Sequence, residues 1–300
     1  MQDTYDIIIC GAGSGGGFLC GEVAPYASVL LLEAGPKTVG QPAPGFGSPE
    51  SRRASTQINL GTYIPDGVSS IDRGRYFYAH PIFVDASNPT VSSIQREARI
   101  VGGGSHVNTG AWLRPLADDF AGFIEETGVQ GWSRKDFEPH FLKAERILQV
   151  HRDKRENWNL ASVLYEQAAV SMGIPVIATA SNRRHCIFCG NRLNAGMPCK
   201  YDSLMSTAVT QIPKAIESGA DLVDNATVLR VEISNRKATG VTFRRDDKVL
   251  TVKARKLVVV AAGAAGTPPI LFDSGLSLLN DNIGRFLRAH PAVGMEVLIP

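Results

Sequence analysis

The chain has 300 residues and no apolar run near the roughly 18 residues that a membrane span requires. It has no excess of one charge: the formal net charge is +2, which gives no reason to expect nucleic acid or an anionic membrane as a partner. It has no true internal repeat. The N-terminus, Met1-Gln-Asp-Thr-Tyr-Asp6, has no basic region and no cleavage site before the first apolar stretch. No signal peptide is therefore expected, and a cytoplasmic location is the default. What remains is ordinary for a globular protein with an ample core: 44% of residues are hydrophobic and 20% charged. The length fits one large domain or two smaller ones. Glycine is plentiful at thirty residues, and it concentrates in a few segments.

The first of these is Tyr5-Asp-Ile-Ile-Ile-Cys-Gly-Ala-Gly-Ser-Gly-Gly-Gly17, followed by Ser28-Val-Leu-Leu-Leu-Glu-Ala-Gly35. It reads as strand, glycine turn, helix, strand. Gly11, Gly13 and Gly16 fill a G-x-G-x-x-G pattern, with Ser14 opening the helix. In such a unit the first glycine permits the tight turn, the second lets backbone approach a pyrophosphate, and the third lets helix and sheet pack closely. The helix N-terminus offers free N–H groups to phosphate oxygens. Glu33 ends the second strand, about 20 residues on, where a carboxylate accepts hydrogen bonds from ribose hydroxyls. A carboxylate there disfavours a 2′-phosphate. The motif by itself does not choose between NAD and FAD.

A second glycine-rich loop is Arg99-Ile-Val-Gly-Gly-Gly-Ser-His-Val-Asn108, and a third turn is Ala262-Gly-Ala-Ala-Gly-Thr-Pro-Pro-Ile-Leu271. Between the first unit and the second loop, Pro36 to Val91 is rich in Pro, Gly, Ser and Asn and reads as long loops with short strands, a surface excursion or a cover over a cofactor. Ser133 is a good N-cap with Asp136 three residues on, so a helix is expected there with Phe137, Phe141 and Ala144 on one face. A further helix is expected over Ala161–Met172. Strands are expected at Thr227–Ile233, Ala238–Arg244, Val249–Val252 and Leu257–Ala262, separated at Asn235-Arg236 and Asp246-Asp247. The last helix is expected to start with Thr267 as N-cap and Pro268 as its first residue. A single NAD domain rarely needs two further glycine segments, whereas an extended FAD gripped from several parts of the chain does.

These segments resemble the glucose–methanol–choline (GMC) oxidoreductases, FAD enzymes that act on alcohols and sugars. Val101-Gly-Gly-Gly-Ser-His-Val-Asn108 is similar to the family's first signature, with Arg114 matching its downstream arginine. Gly131-Trp-Ser to Glu145 is similar to a following helical segment. Gly263-Ala-Ala-Gly-Thr-Pro-Pro-Ile-Leu271 with Ser274-Gly275 is similar to the second signature, and Ile283-Gly-Arg-Phe-Leu-Arg-Ala-His-Pro291 to a V-G-R-N-L-x-D-H-P motif. The resemblance implies an α/β fold: a Rossmann-like FAD-binding domain of glutathione-reductase type with a β-meander, plus the start of an α+β substrate domain. The FAD domain would be discontinuous, 1–150 and 200–290, with a partial substrate domain in 151–199 and 291–300.

The resemblance also implies site roles. Gly11, Gly13, Ser14 and Gly16 would hold the FAD pyrophosphate and Glu33 the adenosine ribose. Gly102, Gly103, Ser105 and Asn108 would lie along the pyrophosphate and flavin. Val228 would meet adenine through its backbone, and Gly263 would lie near the FAD. The activity implied is oxidation of the CH–OH group of a sugar, polyol or other alcohol, with hydride passing to flavin N5 and a neutral histidine taking the hydroxyl proton. The family's catalytic histidine and its His or Asn partner fall beyond the equivalent of Pro300, so no catalytic residue is assigned, and His290 belongs to the His-Pro motif. A C-terminal half or partner subunit is expected to supply the rest. The alternative is a non-catalytic FAD-binding subunit or fragment.

There are five cysteines. Cys10 and Cys20 read as small core residues. Cys186, Cys189 and Cys199 follow His185 in a C-x-x-C with a third thiol ten residues on, a set that allows zinc, an iron–sulfur cluster, a disulfide or free thiols. Arg192 and Met197 stand near two positions where cysteine-rich relatives carry ligands, so free thiols are favoured. His106 lies in the second glycine loop, but the position that bonds covalently to FAD in some relatives aligns with Val107. Non-covalent FAD is expected. The cysteine group and the absence of the covalent-histidine pattern favour a dehydrogenase passing electrons to another acceptor; the sequence does not fix the acceptor, and an oxidase using oxygen is the alternative. Trp112 and Trp132 read as packing anchors.

Overall fold

The structure, a computed structural model, describes residues 1–38, 77–83, 92–187, 198–199 and 201–287, with only the backbone described for 77–83 and 92–96. The chain begins with β1 (Thr4–Cys10), α1 (Ser14–Val23), β2 (Val29–Leu32), β3 (Phe77–Phe83) and β4 (Ser92–Ala98). It continues through α2 (Gly104–Val107), β5 (Ala111–Trp112), α3 (Ala117–Thr127), α4 (Arg134–Ile147), β6 (His151–Arg152), α5 (Leu160–Ser171) and β7 (Ala180–Ser181). The last elements are α6 (Gln211–Glu217), β8 (Asp221–Val223), β9 (Thr227–Ser234), β10 (Lys237–Arg245), β11 (Lys248–Val260) and α7 (Gly263–Asp273).

Six strands form the main sheet in the order β8-β2-β1-β11-β10-β9. The β8, β2, β1 and β11 neighbours run parallel, while β11, β10 and β9 form an antiparallel meander. Parallel strands covered on both faces read as continuous apolar runs, which is why Ile7-Ile-Ile-Cys10 and Val29-Leu-Leu-Leu32 show no alternation. Side chains nevertheless alternate in space. Ile9, Val29 and Leu31 face Ala12, Cys20, Ile212 and Ala215 on one side of the sheet. Ile8, Cys10, Leu30 and Leu32 face Val223, Val241 and Phe243 on the other. Cys10 and Cys20 are buried core thiols, and burial alone pushes them up to about 12 and about 11 respectively.

The meander turns follow from their residues. Asn235 and Arg236 have φ of 50° and 62°, and Asp246 and Asp247 have 48° and 60°. Both central residues at positive φ is the pattern of the tight hairpin turn whose twist matches that of paired strands.

Two expectations are corrected. Val249–Val252 and Leu257–Ala262 are not separate strands: the first and Leu257–Val260 of the second are parts of one long β11, paired with β10 over its first half and with β1 over its second, while Ala261 and Ala262 lie in the turn to α7. No turn residue interrupts Lys253-Ala-Arg-Lys256, and the register shift falls opposite Asp6, which pairs with both Arg255 and Lys256. The last helix starts at Gly263 rather than Pro268, and both prolines lie inside it. Its N-terminus is met by Glu97 of β4, so a local cap at Thr267 is not needed.

The helix with the Ser133 cap is present as α4. Ser133 accepts from the Asp136 N–H, and Asp136 accepts from the Ser133 N–H. Phe137 and Phe141 share a face, and Trp132 stacks on Phe123 at 5.0 Å between ring centroids. The Trp112 indole and the Arg114 guanidinium both donate to Glu145, and Arg114 also reaches Glu138, which ties β5 to α4. Both tryptophans are thus packing anchors. The helix expected over Ala161–Met172 is α5, capped by Asn159. Most of Pro36–Val91 lies outside the described residues; within it β3 pairs antiparallel with the following β4.

Candidate cofactor-binding site

Two strand–turn–helix units meet at the C-terminal end of the parallel strands: β1 to α1 and β11 to α7. Gly11 makes the first turn with φ of 105°, and a Cβ on it would lie 2.3 Å from the Ala261 carbonyl oxygen. Only glycine fits between the two turns. A Cβ on Gly16 would lie 2.0 Å from the Gly11 carbonyl oxygen, so the start of α1 also sits against the turn because that residue has no side chain.

Gly13 differs. It is the N-cap of α1, with φ of −74° and no side-chain cap. A Cβ on it would meet nothing closer than the Gly103 Cα at 3.9 Å, and a Cβ on Gly15 would meet nothing within 4 Å. The protein's own packing therefore does not demand glycine at these two positions. Bare backbone beside an uncapped helix start is what a diphosphate approaching closely would need: first-turn N–H groups without intrahelical partners, and the positive end of the helix dipole. Ser14 is exposed at the same end.

The second glycine loop packs directly against the first turn. The Gly102 N–H donates to the Ala12 carbonyl at 2.9 Å, and a Cβ on Gly103 would lie 2.7 Å from the Gly13 Cα. Gly102 and Gly103 have φ of 97° and 51°. Ser105 donates to the Gly102 carbonyl at 2.6 Å, which closes the loop onto the short α2. Asn108 turns its side-chain carbonyl back to accept from the Gly110 N–H.

Glu33 lies beneath the first turn. Its two carboxylate oxygens accept from the Ala12 N–H at 2.9 Å and the Gly35 N–H at 2.8 Å. Burial lifts its carboxyl from the ordinary 4.5 to about 7, against the lowering effect of those N–H donors and of Arg99. Each carboxylate oxygen keeps a further lone pair for a hydroxyl donor.

Gly263, with φ of 83°, begins α7, and a Cβ on it would fall 2.8 Å from a Glu97 carboxylate oxygen. Ala261, two residues before it, is the residue that abuts Gly11. Val228 stands on β9 opposite Phe243, three strands from β1, packed against the core rather than beside the glycine turns. The structure thus gathers Gly11, Gly13, Ser14, Gly16, Glu33, Gly102, Gly103 and Ser105 at one place, with Gly263 on the adjoining turn and Val228 apart.

His106 points away from solvent. Its Nδ1 pairs with the Ser206 hydroxyl at 2.8 Å, its Nε2 has no hydrogen-bond partner among the described residues, and burial holds it neutral by lowering its pKa to about 4. Ser206, Thr207 and Glu97 were not legible from local sequence as part of this region, because their partners lie about a hundred residues or more away in the chain. Cys186 and Cys199 are unpaired and half-buried, and Cys189 lies outside the described residues. Among the described residues no group of three or more His, Cys, Asp or Glu gathers as metal ligands, and no helix is long and apolar enough to cross a membrane. His290 also lies outside the described residues.

A family model for GMC oxidoreductases matches residues 5–292. An uncharacterised GMC-type oxidoreductase of Mycobacterium bovis is 26% identical over 322 aligned positions, covering 99% of this chain and 56% of the relative. An oxygen-dependent choline dehydrogenase of Xanthomonas axonopodis pv. citri is 27% identical, covering 99% of this chain and 54% of the relative. Among solved structures, pyridoxine 4-oxidase from Mesorbium loti aligns with a TM-score of 0.60 at 20% identity, over 90% of this chain and 52% of that one. A fungal aryl-alcohol oxidase aligns with a TM-score of 0.63 at 20% identity, over 94% and 50%. These structures share the Rossmann-like α/β fold. The chain spans about half the length of the curated relatives it matches.

Proposed function

The chain belongs to the GMC oxidoreductase family, and from that premise we propose that it forms the FAD-binding part of an oxidoreductase that acts on the CH–OH group of a sugar, polyol or other alcohol. The observation that carries this reading is the contact between the Gly13 and Gly103 turns, with Gly13 and Gly15 bare for no reason internal to the protein. The residues present fit the cofactor. Gly13, Ser14 and the α1 N-terminus would take the pyrophosphate, Glu33 would accept from the ribose, and the loop from Gly102 to Ser105 would close over the far side.

When bound, FAD supplies the oxidant that accepts the hydride equivalent leaving the carbinol carbon. The protein's part in this chain is to bind and orient: α1 presents N–H donors to the diphosphate, and Glu33 holds an acceptor beneath the turn. The non-covalent mode is favoured because His106 is engaged by Ser206 within the protein. Removal of the hydroxyl proton is proposed for a histidine outside these 300 residues, in a C-terminal part or partner. Activity as a dehydrogenase, with an acceptor other than oxygen, belongs to that whole protein.

The first test is binding. Purified chain mixed with FAD, FMN and NAD, and then desalted, is expected to keep FAD alone, at one per chain, and to release it into the supernatant on acid precipitation. Failure to retain FAD overturns the reading, and yellow colour left in the acid pellet overturns the non-covalent mode. The second test is dye reduction by the whole protein across a panel of sugars and alcohols. FAD retention with no turnover on any of them would favour the alternative of a non-catalytic FAD-binding subunit.

A further inference from the structure

Residues 205–208, Met-Ser-Thr-Ala, belong to none of the glycine motifs, yet they stand behind both glycine turns. Ser206 and Thr207 are 0% and 3% exposed, unusual for hydroxyl side chains away from a sheet interior. The Thr207 hydroxyl lies 3.4 Å from the Gly13 carbonyl oxygen, 3.5 Å from the Gly102 carbonyl oxygen and 3.2 Å from the Ser105 hydroxyl. The Thr207 N–H donates to the Ser105 hydroxyl oxygen at 3.3 Å. Ser105 spends its own hydrogen on the Gly102 carbonyl at 2.6 Å, so Thr207 has one hydrogen to share between Ser105 and the two carbonyls.

The neighbours are shaped to admit this side chain. A Cβ on Gly17 of α1 would lie 2.9 Å from both the Cβ and the hydroxyl oxygen of Thr207, and a Cβ on Gly102 would lie 2.8 Å from the Ala208 Cβ. One residue before, the Ser206 hydroxyl pairs with His106 of the same loop. Two consecutive residues of one segment thus hold two consecutive residues of the other, and Thr207 alone also reaches the first turn.

We propose that Thr207 is a positioning residue for the dinucleotide: its hydroxyl holds the touching Gly13 and Gly102 turns in register, and so fixes where the bare start of α1 stands for a diphosphate. This rests on the FAD-binding reading given above. Thr207 acts through the backbone of both turns, so its effect falls on ligands that carry the diphosphate and spares those that lack it.

The test compares Thr207→Val, which keeps the β-branched shape and loses the hydroxyl, with Thr207→Ser, which keeps the hydroxyl. Each full chain is titrated calorimetrically with FAD, ADP and adenosine. Thr207→Val is expected to weaken FAD and ADP alike by about fivefold, the scale of one net hydrogen bond, and to leave adenosine unchanged. Thr207→Ser is expected to bind all three as the unsubstituted chain does. Thr207→Ala is the second variant in case valine does not fold, with the same phosphate-selective loss expected. Unchanged FAD affinity in the valine or alanine variant overturns the proposal while leaving the FAD reading intact. So does a loss shared equally by adenosine, or a serine variant that behaves like valine. If the unsubstituted chain itself binds no FAD, the underlying reading and this proposal fall together.

Discussion

At the scale of single residues, Glu33 carries the most telling chemistry. A buried carboxyl with two N–H donors is pulled both ways, and burial prevails, raising it from 4.5 to about 7. The folded chain then holds a proton between these values that the unfolded chain has already lost. The stability tied to that proton is fully present below about pH 4.5 and is lost as pH rises through about 7. The gap corresponds to about 3 kcal/mol. Glu33→Gln has no proton to lose. Its melting temperature is expected to fall less than that of the unsubstituted chain between pH 5 and pH 8, and parallel slopes would refute this. A ribose hydroxyl donating to Glu33 favours the ionised form, so FAD is expected to bind more tightly at pH 8 than at pH 6. In Glu33→Gln that pH dependence is expected to vanish and binding to be weaker at pH 8, as read by quenching of flavin fluorescence.

At the scale of elements, the two glycine turns separate what the fold needs from what a ligand needs. Gly103 is at positive φ and against the Gly13 Cα. Gly103→Ala is therefore expected to cost about 1–3 kcal/mol even without ligand. Gly13 has ordinary φ and open space. Gly13→Ala is expected to change unliganded stability by less than about 1 kcal/mol yet to abolish FAD retention. Thermal melts and FAD titration of both variants check the contrast; a Gly13→Ala chain that retains FAD would remove the main support for the site.

The same contrast explains what was legible from sequence. The strand–turn–helix at 4–23, the hairpins at Asn235-Arg236 and Asp246-Asp247, and the Ser133 cap depend on neighbours within a few residues, so local pattern reveals them. The Thr207 wedge, the Glu97 cap on α7 and the bulge that fuses β11 into one strand depend on partners far along the chain. Nothing in the local pattern around Thr207 or Glu97 distinguishes them from other polar residues. Glycine spacing also marked Gly11 and Gly13 as members of one motif, whereas only the three-dimensional packing separates a glycine that the fold requires from one that it leaves free.

At the scale of the whole molecule, burial is uneven. The β1 and β2 strands and the inner face of α1 are deeply covered, while α3 and α4 bury no residue fully and α5 only Ala169. Around them Leu113, Leu160, Tyr165, Met172 and Ile177 are each two-thirds or more exposed. Single exposed apolar residues are common, but three of these large side chains belong to α5 and its C-cap, a helix that buries only Ala169, and an uncovered apolar helix face is a site of self-association. Arg114 with Glu138 and Glu145 ties the segment after β5 to α4, and the packed aromatic rings hold α3 against α4, without those side chains being covered, so exposing them does not require unfolding. The 300-residue chain is therefore expected to self-associate as its concentration rises, with its average mass by light scattering climbing above 32.2 kDa. The triple substitution Leu160→Lys, Tyr165→Lys and Met172→Lys adds charge to α5 and its C-terminal end without touching the glycine turns. It is expected to lower the association while leaving FAD binding as it was. A mass that stays at the monomer value across the concentration series would show that these side chains do not drive contact. A loss of FAD binding in the triple variant would show instead that α5 and the cofactor turns are coupled through the fold.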